Sequence, residues 1–306
     1  MKILVISSNL IGDAILSTCV VEHFAKIYPK GKFTFLIGPS AGQIYKNFPA
    51  TEKIILIKKK KFNFHWLYMY WLCLNKKWDV IIDFRSSLIS YFLFNKKKYI
   101  FKKNKLINHV DQLKESFKIK NPLLFIHTNS TEESEANINL YRDYKYIIIF
   151  PGGNWIPKIW PSSYYNRLIK LINKNFSNIK FIIVGSLKEK EIYFKEIQKD
   201  LSEDIFIDLM GKSLTLTSAY MKRSNLFIGN DSGLMHLSIA SDLPSISLFG
   251  PTNDKIYGHI SSSSFIIRTK ENYEYLKKNS IDDAKSYMLS IEPDEILKLI
   301  IKEKLL

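Results

Sequence analysis

The chain has 306 residues, 46% of them hydrophobic and 14% aromatic, which supports large buried cores and excludes a disordered chain. Lys and Arg number 45 against 29 Asp and Glu, a formal net charge of +16 that is nearly all Lys, because Arg occurs only at Arg85, Arg142, Arg167, Arg223 and Arg268. The two cysteines, Cys19 and Cys73, exclude a disulfide framework and a cysteine metal site, and fit a reducing compartment. In chain order, MKILVISSNLIGDAILS opens with an apolar run that Asn9, Gly12 and Asp13 interrupt. No small-residue cleavage site follows, so it reads as a first strand and the helix after it, not as a signal peptide. Strands are predicted over 3–7, 33–37, 53–57 and 80–84, then over 146–150, 181–184, 226–229 and 245–249. Runs such as IIIF, FIIV and SISLF are continuously apolar, as parallel strands covered on both faces require. Helices are predicted over 13–27, 162–175 and 214–223, with a closing helix over 293–306. No apolar run reaches the ~18 residues of a spanning helix, so a soluble protein is expected.

Strand–helix–strand alternation in both halves predicts two doubly wound α/β domains facing a central cleft, with ligands at the carboxyl ends of the strands. The polar stretch 128–143 marks the boundary, giving domains 1–143 and 144–306.

Chemistry-bearing residues gather in three places, each where a strand runs into a helix. Ser8-Asn9-Leu10-Ile11-Gly12-Asp13 follows the first strand. Gly12 permits a tight turn or a close ligand approach, while Asp13 is either a helix cap or a carboxylate placed to take a proton. Pro151-Gly152-Gly153, with Lys158 five residues on, offers uncovered amides and a mobile cation to a phosphate, though it is no Walker loop. The third and most specific is Gly229-Asn230-Asp231-Ser232-Gly233-Leu234-Met235-His236. Ser232 and Gly233 present a hydroxyl and amides at a helix N-terminus, and Asp231 offers acceptors to sugar hydroxyls. His236 is read first as a packed histidine on that helix, and second as part of the binding turn. Phe249-Gly250-Pro251-Thr252 ends the next strand at the same edge.

Taken together, G-D-x-x-L-S at 12–17, P-G-G-(x)4-K-x-W-P at 151–161, G-N-D-S-G-x-M-H-(x)3-A at 229–240 and L-F-G-P-T at 248–252 resemble glycosyltransferase family 9, the ADP-heptose:lipopolysaccharide heptosyltransferases. Order and spacing agree over nearly the whole chain. The resemblance implies the GT-B fold, two Rossmann-like domains, with the acceptor on the first and the nucleotide sugar on the second. It implies inverting, metal-independent transfer of a sugar, heptose from ADP-heptose or else a sugar from another nucleotide sugar, to a lipopolysaccharide core or related lipid-linked glycan, with no cofactor beyond that substrate. By the same resemblance Asp13 is the general base and Lys158 holds the diphosphate. Ser232 and Gly233 form the phosphate turn, Asp231 contacts the sugar, Glu189 holds the ribose, and Met210 with Gly211 lies against the adenine. Gly12, Gly152, Gly153 and His236 complete the expected binding set. Two departures fall on the acceptor side: Cys19 stands where relatives often carry Pro, and Ser8-Asn9-Leu10 lacks a basic residue before Gly-Asp.

The Lys excess has two readings, a codon bias or a field that draws the chain to an anionic partner. Residues 58–78 (KKKKFNFHWLYMYWLCLNKKW) and 92–105 (FLFNKKKYIFKKNK) interleave Lys with aromatics. That pattern suits the headgroup region of an anionic membrane, or else a core-facing helix with solvated Lys ends and a basic edge strand. A lipid-linked acceptor favours membrane contact, and hence a cytoplasmic protein peripheral on the inner membrane. Single-stranded nucleic acid is the rival partner, but clustered Arg, an RNA motif and a basic tail are all missing from the sequence.

Overall fold

The apolar runs form parallel strands, and the central ones are buried on both faces. In the computed structural model, which describes residues 1–58, 64–259 and 261–306, the first sheet holds β1 (Lys2–Ile6), β2 (Lys32–Ile37), β3 (Thr51–Leu56), β4 (Trp78–Asp83) and β5 (Asn95–Ile100) in the order β3-β2-β1-β4-β5. The second holds β6 (Lys145–Phe150), β7 (Ile179–Ile183), β8 (Phe206–Asp208), β9 (Leu226–Asn230), β10 (Ser245–Phe249) and β11 (Ser264–Arg268) in the order β11-β10-β9-β6-β7-β8. All of these pairings are parallel. Ile3–Ile6 of β1 and Ile147–Ile149 of β6 are fully buried, so each sheet is built around its own first strand. Strand order reverses between β1 and β4 in one sheet and between β6 and β9 in the other, the positions where doubly wound sheets open for ligands. Each unit is thus a Rossmann-like domain, the pair that makes a GT-B protein.

The units are Met1–Asn129 and Ser130–Leu306. The division falls earlier than the 143/144 boundary read from polarity because residues 130–139 are not a linker. They form the helix Ser130–Asn139, with Ala136 fully buried. The Thr215 hydroxyl donates to Glu132 at 2.6 Å, and the Asn139 amide donates to the Tyr220 hydroxyl at 2.8 Å. Both partners lie on the helix Leu214–Met221, so this polar helix belongs to the second unit.

The helix expected over 13–27 divides at Ser17 into Ile11–Leu16 and Thr18–Ile27. Three successive side chains turn back onto the preceding turn: Ser17 Oγ to the Ala14 carbonyl, Thr18 Oγ1 to Ile15 and Cys19 Sγ to Leu16. Such back-bonding competes with the helical ladder and bends the axis. Cys19 is buried there, and its thiol is pushed up to about 12 by that burial, so it acts as a small packing group.

Candidate functional site

The site in the second unit is assembled by strand register. Phe150 pairs with Gly229 and Asn230 with Leu248, so the turns after β6, β9 and β10 emerge side by side at one sheet edge. Asn230, fully buried, bolts two of them together. Its amide donates to the Pro151 and Gly152 carbonyls at 3.1 and 2.9 Å, while its Oδ1 accepts from the Trp160 amide and the Tyr165 hydroxyl, each at 3.1 Å. The motif reading passed over Asn230, Trp160 and Tyr165 as actors. The signal was present in their spacing, since one asparagine satisfies polar groups at both ends of the PGG…WP segment.

Asp231 follows the bolt. It is 6% exposed, and its carboxylate lies 4.0 Å from Lys158 Nζ. Burial pushes the Asp231 pKa up, opposed by the Lys158 ammonium and the Thr252 hydroxyl. Lys158 ends the short 3₁₀ turn Ile156–Lys158, and its stem passes Gly153: a methyl group on Gly153 would meet Lys158 Cε at 3.9 Å. Gly153, Lys158 and Asp231 are therefore neighbours.

Ser232 caps the helix Gly233–Ala240, its hydroxyl accepting from the Leu234 and Met235 amides at 3.2 and 3.4 Å. The amides of Ser232 and Gly233 are left without an acceptor among the described residues, at the positive end of the helix dipole. His236 is 4% exposed within that helix, consistent with a packed histidine.

Glu189 reaches this edge from beyond β7. It closes a capping box with Ser186, accepting from the Ser186 amide and hydroxyl at 2.7 and 2.8 Å. Its other oxygen accepts from the Gly153 amide at 2.9 Å, so the amide expected to face a phosphate is held by this carboxylate instead. A methyl group on Gly152 would collide with the Glu189 carboxylate and push it away from the Gly153 amide. Gly211, at φ +82°, donates to the Gly185 carbonyl at 2.7 Å, and buried Met210 packs on Gly185. Glu189, Met210 and Gly211 thus frame one turn beside the Gly-Gly segment.

In the first unit the matching edge carries Asp13 in the first turn of Ile11–Leu16, accepting from the Ser8 hydroxyl at 3.1 Å. Gly12 lies inside that helix and is not among the residues of positive φ, so no tight turn demands it and only the close-approach reading stands. Asp13 caps nothing: the helix N-cap is Leu10, with no side-chain cap bond. One residue outside the motifs bears on Asp13. His109, first residue of the helix His109–Phe117, has its pKa lowered by burial, raised by the Asp13 charge and lowered by Lys103. The motifs gave no sign of His109, because the element that carries it follows the lysine-rich β5. At the foot of the same edge, buried Asp83 accepts from the Arg85 and Ser87 amides and the Ser87 hydroxyl at 2.7–2.8 Å, fixing the turn after β4. Among the described residues no three His, Cys, Asp or Glu side chains are grouped as metal ligands.

Comparison with known proteins identifies the family. The family model described as glycosyltransferase family 9 (heptosyltransferase) matches residues 110–287, more than half of the chain. Lipopolysaccharide heptosyltransferase 1 of Campylobacter coli is 27% identical, over 98% of each chain. The ADP-heptose lipopolysaccharide heptosyltransferase II of E. coli superposes with a TM-score of 0.77 at 18% identity, over 99% of this chain and 98% of that one. The E. coli heptosyltransferase WaaC, solved with ADP, gives 0.73 at 17% identity, over 99% and 100%. At such identities the two structures speak for the fold.

Proposed function

The chain belongs to glycosyltransferase family 9, and from that premise we propose that it transfers a heptose from ADP-heptose to a lipopolysaccharide core or a related lipid-linked glycan, with inversion. The observation that carries the reading is the edge where Gly152, Gly153, Lys158, Asp231, Ser232 and Gly233 converge, a cation and free amides beside a buried carboxylate. The second unit takes the nucleotide sugar and the first the acceptor. The acceptor hydroxyl attacks the anomeric carbon from the face opposite the diphosphate, and Asp13 accepts its proton. The bond to the diphosphate breaks and ADP leaves with the electron pair. Lys158 and the amides of Ser232 and Gly233 stabilise the charge that grows on the leaving group. That positive charge comes from the chain itself, so transfer proceeds without a resident metal. Asp231 holds the sugar, Glu189 the ribose, and Met210 and Gly211 border the adenine. Gly12 lets the acceptor approach the backbone beside Asp13, and His236 packs behind the phosphate turn.

The donor is ADP-linked, a reading supported by the relatives' names and by the WaaC structure with ADP. The acceptor places the protein at the cytoplasmic face of the inner membrane. No helix among the described residues is long and apolar enough to cross a membrane. Thermal-shift titration tests the donor: ADP is expected to stabilise the protein where UDP, GDP and oligonucleotides do not. Stabilisation by UDP alone reassigns the donor, and stabilisation by oligonucleotide alone removes the reading.

A further inference from the structure

The helix Phe64–Leu74 is hydrophobic all round, yet only one side of it is covered. Met69 and Cys73 point into a core cluster with Trp78, Ile89 and Leu93, whereas Leu67 is 54% exposed and Trp71 64%. A helix with apolar residues on every face normally has both sides out of water. The short helix Ile89–Phe92 packs beside it through the same cluster, and exposed side chains in it and flanking it repeat the pattern: Leu88 is 76% exposed, Phe92 67% and Phe94 70%. Exposed apolar groups gathered in this way mark a contact surface.

The border of this surface is cationic. Strand β5, at the sheet edge, carries Lys96, Lys97 and Lys98, all exposed, and Lys98 Nζ sits 3.7 Å from the Tyr91 ring centre. Arg85 stacks on Trp66 at 4.9 Å and pairs with no carboxylate among the described residues. Lys59, Lys60 and Lys61 of the same basic stretch lie outside the described residues. Lys96 is paired with Asp79 at 2.7 Å, whereas Lys97 and Lys98, like Arg85, have no carboxylate partner among the described residues. Aromatic and aliphatic side chains backed by such cations match a bilayer interface, where rings sit at headgroup depth and lysines meet lipid phosphates.

We infer that the face formed by 64–74 and 88–98 docks the first unit onto an anionic lipid bilayer, with Leu67, Trp71, Leu88 and Phe92 inserted and Lys97 and Lys98 against the headgroups. The inference deepens the lipid-linked acceptor reading and rests on it for its purpose. Docking itself is measured without sugar transfer.

Flotation with phosphatidylethanolamine–phosphatidylglycerol vesicles, and with neutral phosphatidylcholine vesicles, tests it on the full chain. Wild type is expected to bind the anionic vesicles, less so as salt rises. Trp71→Ser and Phe92→Ser each lower partitioning about 10-fold. Lys97→Gln and Lys98→Gln each lower it about 5-fold on anionic vesicles only. Trp71→Phe keeps binding but loses the blue shift of tryptophan emission, which a merely destabilised variant does not reproduce. Equal binding to both lipids, or variants that bind like wild type, overturns the inference. So does a wild-type dimer that Trp71→Ser splits, because the face then meets a second copy. Transfer to a de-acylated, soluble acceptor is run in parallel. Vesicle binding without transfer leaves the docking face and removes the proposed activity, and transfer without binding does the reverse.

Discussion

Asp13 is the residue on which the proposed chemistry turns, because its position in the first turn of Ile11–Leu16 is explained by no cap. Asp13→Asn is expected to lower transfer by roughly 10² to 10⁴ while leaving ADP affinity unchanged, as loss of a general base requires. His109 supplies a second readout in the same variant. The Asp13 charge raises the His109 pKa against burial and Lys103, so neutralising Asp13 lowers it further, a shift visible in the imidazole NMR titration. An unchanged His109 titration would separate the two groups. Lys158 and Asp231 answer each other at 4.0 Å, and the identity of both was legible in their motifs. The Asp13–His109 relation was not, because it links residues far apart in the chain and no pattern announces it.

At the scale of elements, the site depends on how firmly the turns after β6 and β9 are fastened. Asn230→Ala removes four hydrogen bonds and strands the Trp160 amide inside the protein, while the Tyr165 hydroxyl keeps the Phe150 carbonyl at 2.9 Å. A cost of about 3 kcal/mol is expected, read from the urea midpoint at unchanged slope. A loss under about 0.5 kcal/mol would mean that the bolt is dispensable. The strands that the sequence made legible are those with an unbroken apolar run, including β3, an edge strand whose run KIILI is continuous. Three were not on the list: β8 is three residues long, β11 is an edge strand, and β5 reads NKKKYI, visible only as the basic edge strand of one alternative. An edge strand can dispense with the continuous pattern because one side of the ladder faces water. The helix Ser130–Asn139 was hidden for a related reason: Ala136 is its buried residue, and its attachments are polar.

For the molecule as a whole, charge and titration are the levers. Burial lowers the pKa of both His109 and His259 below the ordinary 6.5, so the unfolded chain binds more protons than the native one around and below that pH. Stability therefore rises as pH increases from about 5 to 7. A thermal melt series checks the sign, and His109→Gln flattens part of the slope. Asp231 works in the opposite direction, its raised pKa favouring the protonated native form at low pH. The net charge of +16, once ambiguous between bias and field, has a local expression in the lysines of β5. The most direct test of the account is mass spectrometry of a lipopolysaccharide-core acceptor after incubation with the protein and ADP-heptose. Addition of one heptose with stoichiometric release of ADP, abolished in Asp13→Asn, is the predicted result. An acceptor left unmodified by ADP-heptose but extended from another nucleotide sugar would contradict it.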